Sequence, residues 1–211
     1  VIVRTTHILL LRHGQTDANA TGVLQGHLPT PLNRVGVREA TLLAGRLAAY
    51  SPSIRVLISS DLPRATQTAG SIASACGLRP VLDPQWRERS FGLLEGKPVG
   101  DRAVWQAASG EIEPPGAEPT VQMHGRVRDA LLKAADKYRG KTVAVVTHGG
   151  PIRAVLKMLA DGRLESVRNR RPADLPEIPN CSILHLLARH YRSGVRWALD
   201  SVNDCGHLED H

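Results

Sequence analysis

Aromatic residues are scarce in this 211-residue chain: Phe, Trp and Tyr make up 3% of it, and Phe91 is the single phenylalanine. Its core must therefore be built mostly from Leu, Val, Ile and Ala, and the interleaving of aromatics with cations that marks many single-strand nucleic-acid binders is absent. Cysteine is also rare. Cys76, Cys181 and Cys205 are widely separated and odd in number, so they form neither a metal-ligand spacing nor a disulfide framework, which suits a reducing compartment. No apolar run approaches eighteen residues, so no membrane-spanning helix is expected. The apolar stretch at residues 8–11 is too short for a signal-peptide core. The expectation is a cytoplasmic protein without a membrane partner. Internal repeats and low-complexity tracts are missing too.

What is there is ordinary for a globular chain, with 42% hydrophobic and 22% charged residues. The length suits one well-packed domain spanning residues 1–211. A net charge of +7 and a pI near 9.8 attract nucleic acid, anionic membranes and small anions alike. The cations are mostly dispersed, however, apart from Arg168, Arg170 and Arg171. Such a run reads first as a solvated loop and second as a device for steering an anionic substrate. Nucleic acid is the disfavoured partner.

Hydrophobic patterning alternates strands with helices. Residues 7–12, 56–60 and 142–147 form short apolar runs of buried-strand type. Helical spacing predicts helices over about 34–50 (capped by Asn33), 62–75 (capped by Asp61 and stopped by Gly77), 99–108, 120–138 and 151–159. In the fourth of these, Val121, Val127, Leu131, Leu132 and Ala135 make the apolar stripe. Residues 14–31 read as loop, residues 80–82 as a short strand, and residues 182–187 with 195–199 as a closing hairpin. The expected fold class is α/β, a three-layer sandwich with a central, mostly parallel sheet flanked by helices.

In such sheets ligands sit beyond the carboxyl ends of the strands. Two strands here end in the same dipeptide, His13-Gly14 and His148-Gly149, so both deliver a histidine to one sheet edge. Arg12 offers a planar fork of donors for phosphate oxygens. His13 offers an imidazole that is nucleophilic when neutral. Gly14 is expected to let the backbone turn and approach a ligand. Thr16 and Asn19 add short polar groups. A lone histidine at a strand end is more often structural; the surrounding pattern changes that balance.

The run Arg12-His13-Gly14-Gln15-Thr16-Asp17-Ala18-Asn19 resembles the signature of the histidine phosphatase (phosphoglycerate mutase-like) superfamily. The resemblance continues, in the family's order, through Gln25-Gly26 with Pro31-Leu32 and Gly36. It goes on through Ser59 to Ala69 around Arg64, through Glu88 with Phe91-Gly92 and Glu95-Gly96, and through Thr147-His148-Gly149-Gly150-Pro151-Ile152-Arg153. It implies that His13 attacks phosphorus and becomes phosphohistidine, its other ring nitrogen held as N–H by a backbone carbonyl. Arg12, Arg64 and His148 then grip the phosphoryl oxygens, helped by the helix amides after Gly149. Asn19 is a further phosphate ligand and Gln25 a candidate substrate contact. Glu88 is the general acid and base, although Arg87 or Arg89 could tie it up in a salt bridge; Glu95 is the structural acid. No metal or other cofactor is implied, and His7, His27, His124, His185 and His190 receive no function.

The implied activity is hydrolysis of a small phosphorylated metabolite. The alternative is mutase-type phosphoryl transfer, for which the spacing between acid and second histidine is short. A ligand-binding module on a dead scaffold is the non-enzymatic competitor, disfavoured because every expected catalytic position is filled. Pro29 stands where relatives often carry an acid, and Pro119 where they often carry serine; the second departure bears on substrate contacts and leaves the phosphate pocket untouched. The alcohol part of the substrate, the roles of Arg168, Arg170 and Arg171, and a homodimer all stay open.

Overall fold

The computed structural model describes residues 4–109, 113–164 and 176–209. Its elements in chain order are β1 (Arg4–Arg12), α1 (Asp17–Ala20), α2 (Arg34–Ala48), β2 (Ile54–Ser59), α3 (Pro63–Cys76), β3 (Pro80–Leu82), α4 (Asp101–Ser109), α5 (Thr120–Lys137), β4 (Thr142–Thr147), α6 (Gly149–Ala160), β5 (Ile183–Tyr191) and β6 (Gly194–Asp204). Six strands form one sheet in the order β3-β2-β4-β1-β5-β6. The first four run parallel, and β5 and β6 close the sheet antiparallel. This is the expected α/β sandwich, with the two closing strands longer than their apolar runs suggested. None of the described helices is long and apolar enough to cross a membrane.

The apolar runs of β1 and β4 are continuous because both faces of the sheet are covered. Ile8, Leu10, Val143 and Val145 point into a core shared with α5 and α6. Leu9, Leu11, Ala144 and Val146 point the other way, into a core shared with α2 and α3. Period-two alternation thus sends neighbouring residues into separate cores, so every position along the strand must be apolar. Register then places the site. Arg12 lies opposite Thr147 in the parallel β1–β4 pair, so the next residues, His13 and His148, leave the sheet side by side.

Three local readings are corrected. Residues 17–20 are a single helical turn, not loop; Thr16 and Asn19 make a reciprocal capping box, and one turn is too short to show helical periodicity. Asp61 does not cap α3: that position is Leu62, with Pro63 opening the helix, and the Asp61 carboxylate is held by Arg87 instead. On α5, Val121 is 76% exposed and Leu132 is also exposed. The buried stripe is Met123, Val127, Ala130, Leu131, Ala134 and Ala135, which small alanines let pack close to its neighbours. Asn33 and Gly77 act as expected, the first accepting the Gly36 N–H and the second taking the left-handed conformation. Arg168, Arg170 and Arg171 lie outside the described residues.

Candidate active site

At the carboxyl ends of β1 and β4 lies a cavity of about 330 Å³, within the size range of small-metabolite sites. Arg12, His13, Asn19, Gln25, Arg64, Glu88 and Gly149 all line it. These are the residues singled out from sequence, except His148. That histidine is 0% exposed and sits against His13, ring centroids 5.0 Å apart.

The His13 ring is fixed from both sides. Its Nδ1–H donates to the Gly14 carbonyl at 2.7 Å, and the Arg64 Nε–H donates to its Nε2 at 3.3 Å. The tautomer follows: Nε2 carries the lone pair. Burial pushes the His13 pKa well below the usual histidine range, with Arg64 and Arg12 adding to the effect and the Gly14 carbonyl opposing it. At neutral pH the imidazole is therefore uncharged.

Gly14 has a different job from the one expected of it. Its φ is not positive; instead, a Cβ there would overlap the Gly36 carbonyl oxygen, and one on Gly36 would overlap Gln15. The strand-end loop and the start of α2 touch backbone to backbone. The Gly14 N–H donates to Thr68 Oγ1, whose hydroxyl donates to the Arg64 carbonyl, tying the His13 loop to α3.

Arg64 is 1% exposed. Its two terminal nitrogens donate to the carbonyls of Gly26 and Leu28, so it also holds the loop that carries Gln25. Burial lowers its pKa to about 10, against the pull of Glu88, so it stays charged at neutral pH. Burial lowers Arg12 as well, Glu88 again opposing. Arg12 Nη1 donates to the Ile178 carbonyl, while its buried Nε has no partner among the described residues. His148 Nε2 lies 2.8 Å from Ser60 Oγ and its buried Nδ1 is likewise unpartnered. Burial first, then the neighbouring Arg64, His13 and Arg12, hold the His148 pKa well below the usual range.

Neither neighbouring arginine neutralises Glu88. Arg87 pairs with Asp61 and Arg89 with Glu113. The Glu88 oxygens accept instead from the backbone N–H groups of Gly150 at 3.0 Å and Arg89 at 2.8 Å. A Cβ on Gly150 would collide with that carboxylate, which explains the second glycine after His148. The Glu88 carbonyl accepts from Arg126 Nη2 at 3.0 Å and from the His27 Nε2–H at 2.9 Å. Arg126 is itself braced by Glu118, and the Thr147 hydroxyl ties down the Trp86 carbonyl two residues before Glu88. Glu95 Oε1 accepts from His27 N, Ser90 Oγ and Phe91 N, a structural use.

Asn19 and Gln25 reach the cavity, but their carbonyl oxygens are committed: Asn19 Oδ1 accepts from Thr16 and Asn180, and Gln25 Oε1 from Thr30. Sequence reasoning missed Arg126, His27 and Asn180, which donates to the His13 carbonyl. No local pattern marks them. Ser60 and Thr68 lay inside quoted motifs without an assigned role.

A family model of the histidine phosphatase superfamily, branch 1, matches residues 8–204. The chain belongs to that superfamily. Among histidine phosphatase relatives, a metal-independent phosphoserine phosphatase of Arabidopsis thaliana is 34% identical, over 96% of this chain and 83% of its own length. A probable phosphoglycerate mutase GpmB of Yersinia enterocolitica is 33% identical, over 96% and 94%. The solved structure of a mycobacterial glucosyl-3-phosphoglycerate phosphatase superposes with a TM-score of 0.76 at 29% identity, covering 93% of this chain and 98% of that one.

The two buried neutral histidines have a consequence for stability. In the unfolded chain they titrate near 6.5, and in the fold well below it. The unfolded state therefore binds more protons as the pH falls below about 6.5, and stability present above that pH is lost. Each histidine contributes up to about 1.4 kcal/mol per pH unit within its window. Urea unfolding at pH 7.5 and 5.5 should show the wild type weakened at the lower pH, and a His13→Asn/His148→Asn variant weakened less. Equal losses in both proteins would remove these two groups from the account.

Proposed function

We propose that the chain is a phosphomonoester hydrolase working through phosphohistidine at His13. One observation carries the reading: a neutral imidazole whose Nε2 bears the lone pair, in a cavity that also holds the Arg12 and Arg64 guanidiniums and the Glu88 carboxyl.

In the first half, Nε2 attacks phosphorus in line, the N–P bond forms as the P–O bond to the alcohol breaks, and Glu88, entering as the acid, gives its proton to the departing oxygen. In the second half, Glu88 takes a proton from water as that water attacks phosphorus. The N–P bond breaks, and the electron pair returns to Nε2. Arg64 Nε, which gives up its hydrogen bond to Nε2 as that nitrogen attacks, and the unpartnered Arg12 Nε donate to phosphoryl oxygens. With the Ser60 hydroxyl donating to Nε2 of His148, its Nδ1–H does so too. A buried donor without an acceptor costs about 1–3 kcal/mol, and an oxyanion removes that cost. Phosphoryl transfer needs mostly such positioning and charge stabilisation. Asn19 and Gly149 are proposed as outer phosphate ligands and Gln25 as a substrate contact; residues 1–211 are read as one domain. A small phosphorylated metabolite is the proposed substrate, in keeping with the names of the phosphatase relatives.

The test is phosphate release from p-nitrophenyl phosphate and from an alkyl phosphate, alongside isomerisation of 3-phosphoglycerate with and without 2,3-bisphosphoglycerate. Release without isomerisation is expected; isomerisation that outpaces release would make it a mutase. Glu88→Gln should cost about 10²–10⁴-fold with the alkyl ester and much less with p-nitrophenyl phosphate, whose leaving group needs little protonation. Equal losses would count against the acid role.

A further inference from the structure

Beyond the phosphate end, the cavity carries two charges that the chemistry at His13 does not use. Arg153 lies on α6 and Glu177 on the segment entering β5, and both line the same cavity as His13. Both are exposed at its mouth, and among the described residues neither side chain makes a hydrogen bond or ion pair. They do not neutralise each other by direct contact. Arg12, which lines the same cavity, feels both, Arg153 with one sign and Glu177 with the other.

Each is held by its neighbours. Ile152 and Ala154 are buried in the core, which sets the helical phase that turns Arg153 outward. The backbone at Glu177 is clamped on both sides: its own carbonyl accepts from Asn203 Nδ2 at 2.6 Å, and the next carbonyl, of buried Ile178, accepts from Arg12. The same guanidinium that faces the phosphate thus also fixes the position of Glu177. Ala18, Val23, Leu24, Phe91 and Val99 supply the apolar remainder of the wall.

We infer that Arg153 and Glu177 form a two-sign subsite for the alcohol part of the substrate, which is an amino-acid-type zwitterion: its carboxylate faces Arg153 and its ammonium faces Glu177. This rests on the phosphomonoesterase reading and deepens it. With the phosphate anchored at the floor, the alcohol carbon skeleton points toward the mouth, where an ester bearing only hydroxyls leaves both charges unmatched. An ester bearing only a carboxylate meets attraction from Arg153 and repulsion from Glu177. Opposite charges matched at both positions give discrimination by attraction and by repulsion together.

Four esters dissect the subsite: O-phosphoserine carries both groups, 3-phosphoglycerate the carboxylate alone, phosphoethanolamine the ammonium alone and glycerol 3-phosphate neither. The wild type should have its highest kcat/KM with O-phosphoserine. Glu177→Gln should lower the ratio of O-phosphoserine to 3-phosphoglycerate by about tenfold, through KM. Arg153→Gln should lower the ratio of O-phosphoserine to phosphoethanolamine by about tenfold. A variant that changes all four esters alike leaves these ratios unmoved and overturns the inference, as does a wild-type preference for glycerol 3-phosphate. Hydrolysis of p-nitrophenyl phosphate separates the two levels: turnover of it with no zwitterion preference sinks only the subsite, whereas its absence sinks the hydrolase reading and the subsite with it.

Discussion

His13→Ala should lower kcat by at least about 10⁴-fold, the order of loss seen when an enzyme's nucleophile is removed from a cooperating set. The residue that replaces it has no lone pair, and no other neutral imidazole can take over. His148 is its neighbour at 5.0 Å between centroids, but is 0% exposed and engaged with Ser60. The variant should still bind phosphate, because Arg12 and Arg64 do not depend on the His13 ring for their backbone contacts. Two measurements check this: steady-state turnover of p-nitrophenyl phosphate, and acid-labile phosphate trapped on the enzyme by rapid quench. Wild type should carry trapped label and His13→Ala none. Retention of even one per cent of wild-type turnover would move the nucleophile elsewhere.

Arg64→Ala should cost about 10³-fold or more in kcat/KM, comparable with losing a strong transition-state donor, and it should lower thermal stability as well. One side chain serves two purposes here. Its Nε–H faces the reacting nitrogen of His13, and its terminal nitrogens satisfy the carbonyls of Gly26 and Leu28. Truncation removes the charge proposed to stabilise the phosphoryl oxygens and leaves buried carbonyls without donors, at about 1–3 kcal/mol apiece. The loop bearing Gln25 loses its anchor, so KM should rise while kcat falls. Arg64→Lys separates these effects. A lysine keeps a charge but cannot span His13 and two carbonyls with a planar fork; it should recover part of the stability and little of the rate. Near-normal kcat/KM in Arg64→Lys would show that charge alone suffices.

The parts of this site that were legible beforehand share a property: their geometry is set within a few residues. An apolar run ending in His-Gly puts the histidine at a strand end wherever the strand goes, and the carbonyl that fixes the His13 tautomer belongs to the very next residue. The helices over residues 34–48 and 63–76 begin and end on local signals. Where the local signal is weak or has competitors, distant contacts decide instead. Asp61 looks like a helix cap because an aspartate just before a helical run from Leu62 fits one; Arg87, twenty-six residues away, claims its carboxylate. Val121 fitted the helical period and yet faces solvent, since periodicity names a stripe but not its limits.

Taken alone, then, the order of residues determined that two histidines and two arginines stand at strand ends and a helix start of an α/β sandwich. Backbone hydrogen bonding and side-chain alternation act locally, and they leave those positions little choice. Tertiary structure alone decided which charges stay unpaired. Arg87 and Arg89 are drawn away to Asp61 and Glu113, Arg126 reaches the Glu88 carbonyl from α5, and Asn180 reaches the His13 carbonyl across 167 positions. Those contacts depend on how sheet register and helix packing bring distant segments together, and charge pairing responds to distance in space, which spacing along the chain does not encode.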